Sequence, residues 1–416
     1  MKKRIHRLFL GILCTIALTG CDLASKTDLS ENTDLKSTEP QKVELVVWGA
    51  EEDKELMNQI IQSFQINYQG QADFQISFEV QGEAQCKNVL ISSLEESADV
   101  FTFADDQLNA LAAAGALDPI KNADDIRDKN LSNTVEAATV NNQIYAYPLT
   151  ADNGYFLYYN KQYITEKQAK TLDGVLEAAA AKGKLFTMDW SSGWYVYSFF
   201  GNTGLQVGLN DDGITNYCSW NQKNGDIRGI DIAHAMLKIA ENPGFANRTD
   251  EKFLKGIKNG SVIAGISGIW NSVAIEKAWG KNYGAIKLPT YTCGGRQIQM
   301  ASFSGCKLIG VNAYSKHPEW ASLLAEWITN EENQRLRFEM RGQSPSNIVV
   351  AASAEISQSP AIAALIEQSE FSQLQRVGSK FWDPVSKFAE NMASGNPSGQ
   401  NIQKQLDEMV ESITAR

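Results

Sequence analysis

Apolar and polar positions alternate from Val43 to Trp48 and again from Phe74 to Val80, a period of two that predicts two strands. Between them Leu56, Met57, Ile60, Ile61 and Phe64 recur at three- and four-residue spacing within Asp53 to Tyr68, which predicts a helix with one buried face. Strand, helix, strand makes a βαβ unit. Asp99 to Phe103 predicts a further strand, followed by a helix that opens near Asp106 and closes at Gly115, with Pro119 just beyond. Ile144 to Pro148 and Tyr155 to Asn160 read as strands flanking Thr150-Ala151-Asp152-Asn153-Gly154, a run of turn residues where the chain can change lobes. After a polar middle region come a helix around Ile230 to Glu241, a strand from Val262 to Ile266, a helix ending near Trp279, and a strand from Tyr283 to Leu288 stopped by Pro289. Later segments are mostly helical. The pattern predicts an α/β architecture with mainly parallel sheets in two lobes.

The N-terminus follows a different pattern. Lys2, Lys3, Arg4 and Arg7 precede an apolar stretch, Leu8 to Leu18, too short to span the roughly 30 Å core of a bilayer. Residues 1–20 read as an export signal. It ends in Leu18-Thr19-Gly20-Cys21, which resembles the bacterial lipobox and marks Cys21 as the lipidated first residue of the mature chain. Asp22 to Gln41 is polar and lacks an apolar face, so residues 21–41 read as a lipidated tether.

The whole chain has 416 residues and a formal charge of −11. Removing residues 1–20, which carry four basic and no acidic residues, leaves 34 − 49 = −15. A body this acidic is a poor partner for nucleic acid. Beyond the signal and the anchor, four cysteines remain (Cys86, Cys218, Cys293 and Cys306). They lack Cys-x-x-Cys spacing, and a turn at Gly294-Gly295 sets Cys293 opposite Arg296 rather than Cys306, so they are expected to be unpaired.

Enzyme motifs are missing. His234 and His317 share no motif, and HExxH, GxSxG, the Walker loop and a GxGxxG after a strand do not occur. No catalytic residue, metal site or cofactor is expected. Paired carboxylates occur at Glu51-Glu52, Asp105-Asp106 and Asp211-Asp212, but adjacency does not place two carboxyls across a sugar bond as a glycosidase requires. Either aspartate of the Asp105-Asp106 pair also has a structural reading, as the cap of the helix that follows. Loop aromatics say more. Trp320 and Trp327 form a core stripe with Leu323, Leu324 and Ile328, whereas Trp194-Tyr195, Trp270 and Trp382 sit beside turns. A sugar ring packs its apolar C–H face on such rings, while carboxylates and amides take its hydroxyls.

Several runs together resemble one family: Val46 to Gly49 (VVWG), Ala98 to Pro119 (ADVFTFADDQLNALAAAGALDP), Tyr145 to Lys161 (YAYPLTADNGYFLYYNK), Gly265 to Asn271 (GISGIWN), Asn282 to Pro289 (NYGAIKLP), Val311 to Trp320 (VNAYSKHPEW), Glu326 to Arg337 (EWITNEENQRLR), Arg341 to Asn347 (RGQSPSN) and Lys380 to Pro384 (KFWDP). In this order they resemble the extracellular solute-binding proteins of ABC importers, closest to the maltodextrin-binding type. The resemblance implies a two-lobed periplasmic-binding-protein-like fold of type II with the ligand cleft between hinged lobes. It places residues 43–150 and 290–342 in the N-terminal lobe, 155–285 and 346–416 in the C-terminal lobe, and the crossings near 149–155, 285–292 and 341–347. Glu51, Glu52, Asp53, Asp105, Asp106 and Asp152 would meet sugar hydroxyls, and Trp194, Tyr195, Trp270 and Trp382 would supply stacking faces. Asp152 is shorter than the glutamate of some relatives. The implied function is capture of maltose and malto-oligosaccharides by a monomer on the outer face of the cell membrane, for delivery to the permease subunits of an ABC transporter. The alternatives are another oligosaccharide, a sensory sugar-binding protein, and a surface glycoside hydrolase.

Overall fold

The computed structural model describes residues 41–210 and 212–415, so the signal, Cys21, the tether up to residue 40 and Asp211 lie outside the described residues. Ten strands make the two main sheets. They are β1 (Lys42–Gly49), β2 (Asp73–Val80), β3 (Val100–Ala104), β4 (Tyr147–Thr150), β5 (Tyr155–Asn160), β6 (Leu185–Met188), β7 (Phe245–Asn247), β8 (Val262–Gly268), β9 (Tyr283–Ile286) and β10 (Lys307–Val311). The first sheet has the order β2-β1-β3-β10-β4 and the second β7-β6-β8-β5-β9. Each is the sheet of one lobe.

In each sheet four strands share a direction and one is reversed. β10 runs antiparallel to both β3 and β4, and β5 runs antiparallel to both β8 and β9. The cause is connectivity. The other strands end toward the opposite lobe, so a strand entered directly from that lobe must start where its neighbours finish, and β5 and β10 are the two strands entered that way. This keeps strand carboxyl ends, and the loops that follow them, on the faces where the lobes meet.

Separate cores hold the lobes. Val43, Leu45 and Val47 of β1 pack with Leu56, Ile60 and Phe64 of the helix Lys54–Asn67, and with Val100, Phe101 and Leu308. The expected period-3.6 face of that helix is the buried one. Trp320 and Trp327 pack edge-on against Tyr68 of the same region, as core aromatics do. In the second lobe Phe186, Trp190, Phe199, Phe200 and Trp220 gather with Met236 and Phe388.

One expected boundary is wrong. The sequence places residues 290–303 in the N-terminal lobe with a crossing at 285–292, but Leu288, Tyr291, Cys293, Met300, Ala301 and Phe303 pack in the core of the second lobe, and Cys306 is the first residue back in the core of the first. The passage therefore lies near 304–306. The cause is the hairpin Thr290–Cys293/Arg296–Gln299, which turns at Gly294 and Gly295, both at positive φ, and folds back onto the lobe it left. A strand stopped by proline reads as a lobe exit in sequence, whereas here it leads into a hairpin. Cys293 pairs opposite Arg296, and Cys86, Cys218, Cys293 and Cys306 are free thiols. Among the described residues no helix is long and apolar enough to cross a membrane.

Candidate functional site

Between the lobes lies a cavity of about 780 Å³, lined from both sides. From the first lobe it receives the turn after β1, the start of the helix Glu83–Ser92, the turn after β3 and the first residue of β10. From the second it receives the turn after β6, the start of the helix Asp250–Lys258, the turn after β8 and the start of the helix Trp382–Ala393. Most of these are loops at strand carboxyl ends.

The second lobe supplies an aromatic wall. Trp194, Tyr195, Trp270 and Trp382 all line the cavity. The Trp194 and Trp270 rings lie 5.6 Å apart and tilted by 33°. Trp382 is set edge-on to Phe381 at 5.0 Å. Gly193 is small because space is short there: a Cβ would fall 3.2 Å from the Trp382 carbonyl and 3.3 Å from Val385. Its N–H donates to Ser386 Oγ at 3.0 Å, tying the Trp194 turn to the helix that carries Trp382. Burial first, then the neighbouring Asp250 charge, pushes the Tyr195 phenol well up, so it is a neutral donor.

The first lobe supplies charge. Glu52, Asp53 and Asp106 line the cavity, whereas Glu51, Asp105 and Asp152 do not. Glu51 points to solvent. Asp105 is buried; its Oδ2 accepts from Arg376 Nη1 at 2.7 Å and its Oδ1 from the Cys306 N–H at 2.9 Å. Asp152 is buried too. Its short side chain is turned to the Ser344 N–H, so it ties the segment after β4 to the segment around residue 344 instead of lining the cavity. Asp53 reaches the cavity, but Arg337 at 2.5 Å and Arg341 at 2.8 Å occupy its oxygens. Burial raises its carboxyl, and Arg337, Lys307 and Arg341 together outweigh that, leaving it well below the usual carboxylate range. Neither Asp105 nor Asp106 caps the helix that begins at Leu108.

Asp106 shares a carboxyl raised by burial with Asp152, which is pushed up to about 6, but unlike Asp152 it lines the cavity. Burial pushes its carboxyl up to about 7, against a hydrogen bond from Gln375 that lowers it. Its Oδ1 is buried without a hydrogen-bond partner, and so are Glu83 Oε1 and Trp194 Nε1. All three residues line the cavity. Two acceptors thus stand on one lobe and a donor on the other.

Sequence reading missed Glu83, Lys307, Arg341, Gln375 and Asp250. Lys307 pairs with Glu83 at 2.8 Å and stands 5.4 Å from the centre of the Trp270 ring, reaching the other lobe. Burial works against its charge, but Glu83 and Asp53 outweigh that and raise its pKa. Lys307 lies in the lobe expected for it, and what hid it in the sequence is that its partners Glu83 and Trp270 are distant in the chain. Asp250 opens a helix, where an acidic residue has an ordinary reading as a partner of the helix dipole. Among the described residues no group of His, Cys, Asp and Glu is arranged to hold a metal ion.

A family model described as bacterial extracellular solute-binding protein matches residues 59–364. A galactooligosaccharide-binding protein of Bacillus subtilis (strain 168) is 27% identical over 432 residues, covering 99% of this chain and 97% of its own. A solved structure described as being with acarbose is 26% identical with a TM-score of 0.78, over 90% of this chain and 99% of that one. A maltodextrin-binding protein of L. casei without ligand is 23% identical with a TM-score of 0.72, over 90% of this chain and all (100%) of that one.

Proposed function

The chain belongs to the bacterial extracellular solute-binding protein family, and from that premise we propose that it captures malto-oligosaccharides between its lobes and delivers them to the permease of an ABC transporter. The observation that carries this reading is the pairing of two surfaces across one cavity: an aromatic wall on the second lobe and, on the first, the lining residues Asp106 and Glu83, each with a buried carboxylate oxygen that has no protein partner. Apolar sugar faces would lie on Trp194, Trp270 and Trp382, and hydroxyls would donate to the two carboxylates while the Trp194 indole N–H donates to a sugar oxygen. Glu52 and Tyr195 complete the set at the rim and the floor. Of the carboxylates expected from sequence, Asp53, Asp105 and Asp152 act on this reading as supports of the walls and hinge.

A second reading has its own support. The Bacillus subtilis relative is named for galactooligosaccharides, and the acarbose-bound structure is of similar identity, so a galactosyl oligomer is the competing ligand. Calorimetry with glucose, maltose, maltotriose and a galacto-oligosaccharide decides: tightest binding of maltotriose is expected, tightest binding of the galactosyl oligomer transfers the assignment, and no heat with any oligomer rejects oligosaccharide capture. The proposed lipid anchor is tested separately. Cys21→Ser should release the protein from the membrane fraction, and quantitative retention there would exclude acylation of Cys21 as the attachment.

A further inference from the structure

The Asp250 carboxylate stands behind the aromatic wall. Asp250 Oδ2 accepts the Trp270 indole N–H at 2.9 Å. Its Oδ1 accepts from Ser267 Oγ at 2.8 Å, and the Tyr195 hydroxyl approaches both oxygens, at 3.3 and 3.4 Å. Ser267 Oγ in turn accepts from Asn271 Nδ2 at 2.9 Å. Ser267 and Asn271 are both buried, and the Tyr158 hydroxyl donates to the Gly268 carbonyl at 3.0 Å. The peptide 267–271 that carries Trp270 is therefore fixed at its backbone, at two side chains and at the indole nitrogen.

The ring is also fixed from beneath. It lies so close over Gly268 that a Cβ there would come within 2.1 Å of the six-membered ring. Trp194 leans against it at 33°. Position 268 thus excludes every side chain as long as Trp270 keeps this pose.

Resting on the reading of the cleft as a sugar site, we infer that Asp250 is a positioning residue that sets the orientation of Trp270 and Tyr195 and so preorganises the stacking surface. A direct role as acceptor for a sugar hydroxyl fits less well, because three protein donors already occupy its two oxygens. A role in folding alone fits less well too, since two of the three groups on Asp250 are rings that line the cavity, Trp270 and Tyr195, although Tyr195 also packs in the core of the second lobe. Ordering a ring before the ligand arrives removes part of the entropy loss of binding, so the effect belongs to affinity as well as to conformation.

The experiment uses the full chain and reads the ring directly. The near-ultraviolet circular dichroism of ligand-free wild type minus Trp270→Phe defines the Trp270 band. Asp250→Ser retains a polar group at the helix start but is too short to reach the indole, and it should lose most of that band. Asp250→Asn keeps an acceptor oxygen and should restore much of it. Gly268→Ala should disturb the same band from beneath the ring. Maltotriose affinity should fall roughly ten-fold in Asp250→Ser, in proportion to the loss of a hydrogen bond to a charged group, and by less in Asp250→Asn. An unchanged Trp270 band in a folded Asp250→Ser protein overturns the inference. So does a changed band with affinity within about two-fold of wild type. If wild type binds no oligosaccharide, the functional reading fails, while the dichroism still decides whether Asp250 positions the ring.

Discussion

Arg376 Nη1 lies 2.7 Å from Oδ2 of Asp105, joining the second lobe to a carboxylate with no exposed surface at the end of β3. Val377, next in the chain, packs in the core of the second lobe, so the guanidinium reaches across from there. Asp105 is also joined by its own N–H to the Cys306 carbonyl at 3.1 Å, beside the second passage. The pair therefore bridges the lobes at the point where the chain passes between them.

Arg376→Gln should loosen that bridge. It leaves a buried carboxylate without its cation, and because Arg376 is itself about one third exposed, the expected loss of stability is about 1–3 kcal/mol, below that of a fully buried pair. Small-angle scattering of the ligand-free variant should show a larger radius of gyration. A melting temperature and radius equal to wild type would mean that the bridge contributes nothing to closure.

Trp382 separates stacking from packing. If its ring meets sugar, Trp382→Ala should weaken maltotriose binding by about 1–3 kcal/mol, or roughly ten- to a hundred-fold. If it is a core residue, truncation should lower stability by about 3–5 kcal/mol while folded protein binds normally. Melting temperature and affinity measured on one sample distinguish the two, and full affinity with a large drop in melting temperature removes Trp382 from the site.

Much of this was legible in the sequence because it depends on local pattern. The alternation in Val43 to Trp48 and the apolar face from Leu56 to Phe64 specify elements whose burial follows from period alone. The aromatics beside turns were legible in part: Trp194, Trp270 and Trp382 line the cavity, but Trp190 and Trp220 also sit in turns outside a periodic stripe and fill the core, so position beside a turn does not by itself separate the two. The carboxylates were not legible. Asp53, Asp105, Asp106 and Asp152 are the same chemistry in sequence, and only tertiary partners separate them: two arginines for Asp53, Arg376 for Asp105, the Ser344 N–H for Asp152. Those partners are between 192 and 288 residues away in the chain. Lys307 and Arg341 were missed for the same reason, as cations whose partners are distant in the chain.

The Asp53 cluster gives an acid-side prediction. Its carboxyl is held below the usual range when folded, so it contributes stability that is complete above its unfolded pKa of about 4 and is lost as pH falls from there toward the folded value. Asp53→Asn should be less stable than wild type at neutral pH, and the gap should narrow as pH falls below about 4. Arg337 is buried, so Arg337→Met should destabilise by about 3–5 kcal/mol at neutral pH by leaving Asp53 undercompensated. Urea unfolding across pH checks both, and a pH-independent gap for Asp53→Asn would contradict the ion-pair account.

Asp106 predicts the opposite sign and links it to binding. Its carboxyl is raised to about 7 in the folded protein, mainly by burial. The folded state therefore holds the proton more tightly than the unfolded chain, and the associated stability, complete below about 4, is lost progressively as pH rises to about 7 and is constant above. Asp106→Asn, which cannot ionise, should gain on wild type across that window. Binding should respond in the other direction. A sugar hydroxyl that donates to Oδ1 selects the ionised carboxyl, so maltotriose affinity should rise about ten-fold between pH 6 and pH 8 and bring release of a proton near pH 6.5. Calorimetry in buffers of different ionisation enthalpy measures that proton directly. Asp106→Asn should bind more weakly at pH 8 and show no pH dependence over this range. A wild-type affinity that is flat from pH 6 to 8, with no proton released, would rule out Asp106 as an acceptor, while an affinity that falls with pH would assign it instead as a protonated donor to a sugar oxygen.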